Sequence, residues 1–366
     1  MTLYFAPGRI NLIGEHIDYN GGWVLPAAIS LGITAQVSKS NDGNFHFSSA
    51  THKQTISFAP AQQFSFNQEN AWLNYPLGVY QFLQEKQFTL SPLHIHYTST
   101  LPEASGLSSS ACIEVLTMFL LLQENGYTVS TQEIALWCQA VENKFIGVNC
   151  GIMDQFCIAN APAKSAMLLN CATLEFKQVP INLHTQKVVL LNTKKPRNLI
   201  HSKYNERRAE CEQALSFINQ HKKTPINFLC ECKPSDLAYI PQPILKKRAA
   251  HAIEEHLRTQ QAAAALAQND IGKVEALINQ SHQSLKDNYE VSGNELDTIV
   301  QIACTHYGCN AARMTGAGFG GCAIALVEGA HTPHFKTFVE EQYFTATGLQ
   351  GEVYICDIGE GVKKIS

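Results

Sequence analysis

Residues 6–22 (APGRINLIGEHIDYNGG) place four charged or titratable side chains in one glycine-bounded stretch. Arg9, Glu15, His16 and Asp18 are interleaved with apolar residues and turn-forming glycines. Polar groups that cluster in a loop beside an apolar strand can converge on a small polar ligand. Taken alone, the pattern is equally compatible with a solvated surface loop.

A second segment, residues 101–115 (LPEASGLSSSACIEV), carries Ser108, Ser109 and Ser110 immediately before an apolar run. The run predicts a helix, and the backbone N–H groups at a helix start favour an anion. Serine hydroxyls can also donate to phosphate or ligate Mg²⁺. Because a helix cap needs only one serine, three of them favour a phosphate site. The segment is neither a Walker A loop nor a G-x-S-x-G nucleophile elbow.

A third segment, residues 313–327 (RMTGAGFGGCAIALV), spells G-x-G-x-x-G with Gly316, Gly318 and Gly321. This loop precedes a predicted strand instead of opening a helix, which argues against a dinucleotide site. We expect it to let the backbone approach a ligand or another loop closely.

A fourth segment, residues 142–156 (ENKFIGVNCGIMDQF), carries Glu142 and Asp154. Two carboxylates near a phosphate site suit a metal ligand and a general base. Without the other three segments they would be interpreted as surface acids.

The elements that must position these segments mix strands and helices in both halves of the chain. Strands and turns dominate the first third, where the alternating apolar residues of 93–99 (LHIHYTS) predict a strand. A buried helix follows the three serines, and long helical stretches prevail after about residue 170. Without a regular βαβ repeat, this pattern predicts an α+β fold and not a doubly wound sheet. We expect two domains, residues 1–170 and residues 171–366.

Composition excludes several classes of protein. The 366 residues are 45% apolar and carry a net charge of −4, which argues against a nucleic-acid partner. The most apolar run, residues 115–122 (VLTMFLLL), is far shorter than the ~20 residues of a membrane-spanning helix. The first residues lack the pattern of a signal peptide. The 12 scattered cysteines, without C-x-x-C, indicate reduced thiols. We therefore expect a cytoplasmic protein with no membrane partner, and a monomer.

The first three segments, in this order, resemble the three signature motifs of the GHMP small-molecule kinases. The opening GRINLIGEHIDYN resembles the galactokinase signature in particular. The likeness continues over nearly the whole chain, in residues 72–79 (WLNYPLGV), 150–156 (CGIMDQF), 202–212 (SKYNERRAECE) and 284–297 (SLKDNYEVSGNELD).

The resemblance implies an N-terminal α/β domain and a C-terminal ferredoxin-like domain, with the active site between them. It implies ATP-dependent phosphorylation of D-galactose at the anomeric hydroxyl, giving α-D-galactose 1-phosphate and ADP. ATP would lie over one loop, with Trp72 at its adenine. The cofactor-binding positions of that loop would be Ala104, Ser105, Gly106, Leu107, Ser108, Ser109 and Ser110.

The resemblance also implies roles for the charged residues. Ser110 and Glu142 would hold Mg²⁺. Asp154 would take the proton of the sugar hydroxyl, and Arg9 would stabilise both Asp154 and the transferred phosphoryl group. Since an ordinary aspartate pKa of ~3.9 makes a weak base for an alcohol, early and late proton transfer both remain open. The sugar contacts would come from Glu15, His16, Ile17, Asp18 and Tyr204.

Four features depart from the family pattern. Ala104 replaces a glycine of the phosphate loop, Ala317 stands where many members have a third glycine, and Ile17 replaces a threonine. The chain also begins only a few residues before the first motif. Two alternatives stay open: a kinase of a related sugar (N-acetylgalactosamine, L-arabinose or galacturonate), or a non-catalytic regulator that binds galactose and ATP.

Overall fold

The computed structural model describes residues 1–102, 106–195 and 200–366. Its strands are β1 (Thr2–Asn11), β2 (Trp23–Val24), β3 (Pro26–Lys39), β4 (Phe45–Ser49), β5 (Ile56–Phe58), β6 (Leu93–Ser99), β7 (Ser165–Asn170), β8 (Phe176–Pro180), β9 (Gln186–Asn192), β10 (Cys309–Thr315), β11 (Cys322–Glu328), β12 (Glu352–Cys356) and β13 (Lys363–Lys364). Its α-helices are α1 (Asn74–Glu85), α2 (Ser109–Glu124), α3 (Thr131–Val141), α4 (Met153–Asn160), α5 (Ile200–Asn219), α6 (Pro243–Ala267), α7 (Ile271–Ser284), α8 (Gly293–Thr305) and α9 (Thr332–Thr347). Short π-helical turns, Glu142–Ile146 and Leu285–Tyr289, extend α3 and α7. The 3₁₀ segments are Gln68–Leu73, Leu229–Glu231, Pro234–Tyr239 and Gly329–His331.

A six-stranded sheet in the order β13-β1-β3-β6-β4-β5 forms the first layer. The helix α2 packs against β1 and is buried on nearly every face, as its continuous apolar sequence predicts. The register of β1 against β3 shifts between Pro7 and Arg9. Such a bulge re-aims the side chains that follow it, here at the residue that reaches the site.

A four-stranded antiparallel sheet in the order β10-β11-β9-β12 forms the second layer, against which α7, α8 and α9 pack. The strand β10 ends at Thr315 and passes directly into the glycine loop, residues 316–321. In this loop Gly316 has φ +82° and Gly318 has φ +76°, conformations that glycine adopts without strain. As expected, the loop joins two strands and opens no helix.

A small third sheet, β2-β7-β8, lies beside residues 6–22, the signature segment. At the far end of the chain β13 pairs with β1, so that Tyr4 stands opposite Lys364. The C-terminal end therefore returns to the first sheet. The division at residue 170 stays a prediction.

The mixture of strands and helices in both halves agrees with the predicted α+β class. The sequence pattern located β6 and α2 but missed β10 and α9. The strand β10 was missed because CNAARMT interrupts its apolar residues with Asn310 and Arg313, and only packing buries that arginine. Within the described ranges, none of the helices combines the length and the apolar character needed to cross a membrane.

Candidate active site

Arg9 and Asp154, 145 residues apart, form a two-point ion pair at the centre of the site. Arg9 Nε donates to Asp154 Oδ1 at 2.8 Å, and Nη2 donates to Oδ2 at 2.8 Å. Arg9 Nη1 donates to the Gly106 carbonyl at 2.7 Å. The arginine is 4% exposed, whereas the Asp154 side chain is 31% exposed toward the cavity. The guanidinium therefore ties the carboxylate to the loop that precedes α2, in the bidentate geometry that arginine favours.

Ser108 stands at the cap position of α2 but does not cap it. Its backbone is left-handed (φ 61°), and its side chain makes no hydrogen bond to the first turn. Its hydroxyl donates instead to Asp154 Oδ2. Because no side chain caps α2 here, the N–H groups of its first turn face the loop, where the helix dipole favours an anion.

Glu142 begins the π-helical turn after α3 and lies buried beside α2. Its Oε1 accepts from Ser110 Oγ at 3.0 Å, and its Oε2 accepts from Gln155 Nε2. Burial, and then the nearby Asp154 carboxylate, raise the pKa of Glu142 to about 7. A buried carboxylate and a hydroxyl are oxygen donors of the kind that Mg²⁺ takes. The donor set therefore fits a divalent cation.

A cavity of about 690 Å³ opens over this cluster. Seven residues predicted to form the site line it, namely Arg9, Glu15, His16, Asp18, Glu142, Asp154 and Tyr204. The other lining residues are Val148, Cys150, Gly151, Met153, Gly316 and Ala317. The fold thus brings the first, third and fourth segments of the sequence to one concave surface.

Glu15 turns one carboxylate oxygen toward the glycine loop. Its Oε1 accepts from the Gly316 N–H at 2.7 Å and from the Thr315 hydroxyl at 3.0 Å. The same oxygen lies 3.0 Å from Arg313 Nη2, and both side chains are almost completely buried. Glu15 is therefore a clamp between the signature segment and the glycine loop, in addition to lining the cavity.

The glycine loop also closely approaches the loop that precedes α2. A Cβ atom on Gly316 would stand 2.8 Å from the Gly106 carbonyl oxygen. Only glycine fits at this point, because a side chain there would meet backbone that cannot move aside.

His16 and Asp18 differ in surroundings although they are two residues apart. The ring of His16 is buried and contacts the rings of Tyr19, Tyr204 and Tyr289. Burial lowers the pKa of His16 to about 3, so the ring is neutral at pH 7. Burial, and then Asp154, raise the pKa of Asp18 to about 7.

The structure does not bring the side chain of Ile17, a predicted sugar contact, to the cavity. Its side chain is completely buried in the core, where it lies next to Gly22, and it is not among the residues that line the cavity. The side chains of consecutive residues in an irregular turn point in different directions, and the side chain of Ile17 points into the core. The replacement of threonine by isoleucine is therefore a change in core packing.

A second cavity, of about 980 Å³, adjoins the first at the Ser110–Glu142 hydrogen bond. Trp72 lines it together with His52, Tyr97, Ser109 and other residues. The buried Trp72 Nε1 has no hydrogen-bond partner among the described residues. An aromatic face with an unused donor suits a planar heterocycle that carries acceptors.

The remaining predicted loop positions have different outcomes. Ala104 and Ser105 lie outside the described residues. Gly106 contributes its carbonyl to Arg9, whereas the side chain of Leu107 is buried in the core and only its carbonyl, which accepts from Arg9 N at 3.3 Å, faces this region.

Several residues that shape the site were not singled out from the sequence. Gln155 binds Glu142, and Arg313 pairs with Glu15. Gly151 leaves room for Asp18, since a Cβ there would fall 1.8 Å from Asp18 Oδ2. The available signal was adjacency: Gln155 follows Asp154, and Arg313 precedes the glycine loop.

The fold agrees with comparisons to known proteins. Residues 74–161 match the family model of the GHMP kinases N terminal domain, and residues 262–343 match that of the GHMP kinases C terminal domain. The chain is thereby defined as a GHMP small-molecule kinase. Residues 2–39 match the galactokinase galactose-binding signature.

Relatives extend the match over the full length. A galactokinase of Fusobacterium nucleatum is 40% identical, over 99% of this chain and 94% of that protein. A galactokinase of Clostridium beijerinckii is 41% identical, over 100% and 95%. The crystal structure of Lactococcus lactis galactokinase complexed with galactose, 39% identical, superposes with a TM-score of 0.94 over 100% of this chain and 95% of that one. The chain belongs to the galactokinase family, which confirms the resemblance, the α+β fold and the enzyme class predicted from the sequence.

Proposed function

We propose that this member of the galactokinase family transfers the γ-phosphoryl group of ATP to the anomeric hydroxyl of D-galactose through Asp154 and Arg9, giving α-D-galactose 1-phosphate and ADP. Family membership supports the substrates. The observation that carries the site assignment is the cluster of Arg9, Asp154 and Ser108 at the first cavity, which the second cavity adjoins at the Ser110–Glu142 hydrogen bond. A sugar in the first cavity and a nucleotide in the second would meet there.

Asp154 receives the proton of the attacking hydroxyl in this proposal. Two N–H groups of Arg9 and the hydroxyl of Ser108 hold its carboxylate in a fixed orientation, while part of it stays open to the cavity. As the new O–P bond forms, the O–H bond of the sugar breaks and so does the bond from the γ-phosphorus to the bridging oxygen of ATP. The proton ends on Asp154, and ADP leaves with the electron pair of the broken P–O bond. Orientation of this kind is a large part of phosphoryl-transfer catalysis.

Arg9 supplies positive charge beside the same reacting groups. A guanidinium has five N–H donors. Three of them bind Asp154 and Gly106. One N–H on each terminal nitrogen is left to meet oxygens of the transferred phosphoryl group, where charge accumulates.

The start of α2 and its serines receive the phosphates in this scheme. The first-turn N–H groups and the Ser109 hydroxyl, which lines the second cavity, face the nucleotide. Ser110 and Glu142 would hold Mg²⁺, which when bound neutralises phosphate charge and orients it. Trp72 would stack on the adenine.

The experiment measures ATP consumption by the purified chain with Mg²⁺ and a panel of sugars. The panel is D-galactose, N-acetylgalactosamine, L-arabinose, galacturonate, D-glucose and no sugar. We expect strong turnover with D-galactose and a phosphate at C1 of the product, identified by ³¹P NMR. Faster turnover with another sugar would move the substrate assignment to that sugar.

The Asp154→Asn variant tests the site assignment. We expect it to lose turnover and keep ATP binding, because the amide still accepts one bond from Arg9 but cannot take the proton. Asp357→Asn, at an exposed aspartate paired with Lys187, is the matched control and should retain parental turnover. An active Asp154→Asn enzyme would remove Asp154 from this role.

A further inference from the structure

The ring of His16 is held at both nitrogens. Its Nε2 lies 3.1 Å from the carbonyl oxygen of Ala317 in the glycine loop, and its Nδ1 lies 2.8 Å from the hydroxyl of Tyr19. A carbonyl oxygen can only accept, so Nε2 must carry a proton. In the neutral ring Nδ1 is then the acceptor, and the Tyr19 hydroxyl donates to it.

This assignment fixes the direction of a longer chain of hydrogen bonds. The oxygen of Tyr19, having given its proton to His16, accepts from the Tyr289 hydroxyl at 2.9 Å. The oxygen of Tyr289 then accepts from the thiol of Cys211 at 3.0 Å. Asn20 closes the network, because its Nδ2 donates to the His16 carbonyl at 2.9 Å and to the Cys211 sulfur at 3.6 Å.

Every titratable side chain in this series of hydrogen bonds favours its neutral form. Burial raises the pKa of the Tyr19 and Tyr289 hydroxyls well above their usual range, and raises the pKa of the Cys211 thiol to about 11. Burial together with His251, Arg207 and Arg313 disfavours a proton on the second nitrogen of His16. One arrangement of protons therefore satisfies all of the contacts.

The network joins four distant parts of the sequence: the signature segment, α5, the π-helical turn after α7, and the glycine loop. The backbone of Tyr289 is itself anchored, since Arg207 Nε donates to its carbonyl at 2.8 Å. His16 and Ala317 both line the first cavity. Whatever fixes the His16 ring thus also fixes the distance between the signature segment and the glycine loop across that cavity.

We infer that Tyr19 and Tyr289 are positioning residues for sugar binding: they fix His16 as the Nε2–H tautomer, which holds Ala317 and keeps the glycine loop closed over the sugar. This inference rests on the proposed function for its kinetic consequence only. The tautomer and its dependence on Tyr19 are properties of the chain without substrate.

The first test is spectroscopic. The chain is labelled with ¹⁵N-histidine, and the His16 signals are assigned by their absence in the His16→Gln variant. We expect a neutral ring with the proton on Nε2, and an Nδ1 resonance that moves when the hydroxyl donor is removed in Tyr19→Phe. A charged ring, a proton on Nδ1, or an unchanged Nδ1 resonance in Tyr19→Phe would overturn the inference.

The second test is kinetic. In Tyr19→Phe and Tyr289→Phe we expect the KM for D-galactose to rise about 5- to 10-fold, the usual effect of losing one buried hydrogen bond, with kcat and the KM for ATP within about twofold. Tyr4→Phe is the matched control: this buried tyrosine donates its hydroxyl to Glu124 Oε1 at 2.7 Å and lines neither cavity. Cys211→Ser, which keeps a donor to Tyr289, should retain the parental KM, whereas Cys211→Ala should raise it.

The outcomes separate the two proposals. If the chain does not phosphorylate D-galactose but His16 has the expected tautomer, the proposed function fails and the hydrogen-bond network stands. If galactose is phosphorylated but Tyr19→Phe leaves either the Nδ1 resonance or the KM for galactose unchanged, the positioning role is refuted. Equal kinetic changes in Tyr4→Phe would show a general loss of stability and would also refute it.

Discussion

The clamp between Glu15 and Arg313 gives a sharp prediction about stability. In Glu15→Gln the amide oxygen can still accept from Thr315 and Gly316, so the substitution mainly removes the negative charge. Arg313 would then be a fully buried cation whose partner at 3.0 Å has become neutral. Its remaining acceptors are backbone carbonyls, including those of Met314 at 2.9 Å and Leu12 at 3.0 Å.

The magnitude follows from the burial. Removing one partner of a buried ion pair costs about 3–5 kcal/mol of folding free energy. We take the lower end, about 3 kcal/mol, because the backbone carbonyls still solvate Arg313. An unfolding entropy of about 2.1 cal/mol/K per residue, over 366 residues, converts this into a Tm about 4 °C lower.

The assay is urea and thermal unfolding of the parent, Glu15→Gln and Glu212→Gln. Glu212 makes a solvent-exposed ion pair with Arg208, so its substitution should change the free energy of unfolding by less than about 0.5 kcal/mol. The single variant Arg313→Gln and the double variant Glu15→Gln with Arg313→Gln complete a double-mutant cycle. Equal destabilisation by Glu15→Gln and Glu212→Gln, or a coupling energy near zero in the cycle, would refute the clamp.

Three further predictions concern other parts of the site. Gly316→Ala should lower kcat at least tenfold, because the new Cβ would lie 2.8 Å from the Gly106 carbonyl oxygen. Gly348→Ala is the control and should leave kcat unchanged in the same assay, because Gly348 has a similar φ but no atom within 4 Å of the added Cβ. The raised pKa of Asp18, about 7 against an ordinary 3.8, means that the fold loses stability as pH rises from about 4 to 7. In urea unfolding, Asp18→Asn should therefore be more stable than the parent at pH 8, by up to about 4 kcal/mol, and equal to it at pH 4; a constant difference would contradict this. Trp72→Leu should raise the KM for ATP about tenfold and leave the KM for galactose unchanged, as expected when stacking on the adenine is lost. Trp137→Leu, at a tryptophan outside both cavities, is the control. An equal rise of the KM for ATP in both variants would argue against stacking.

The sequence was informative wherever local pattern decides structure. Alternating apolar residues located β6, and the continuous apolar run after the serines located the buried helix α2. The residue types in the four segments also indicated a small polar ligand, a phosphate site, a metal ligand and a general base, whereas the sugar followed only from the family resemblance. These patterns work because periodicity and helix termini depend on neighbours close in the chain.

The tertiary structure decided which way those side chains point. Nothing local indicates that Ser108 donates to Asp154 instead of capping its helix, that Ile17 turns into the core, or that Glu15 clamps the glycine loop. Each outcome depends on a partner brought close by folding from elsewhere in the chain: 46 residues away for Ser108 and 301 for Glu15.

The sequence by itself therefore determined the family, the α+β class and the chemical inventory of this protein. Only the tertiary structure decided how that inventory divides into groups that face the cavity and groups that hold its walls together. The physical reason is that buried polar groups must find partners, and the fold, not the local sequence, determines which partners lie within reach.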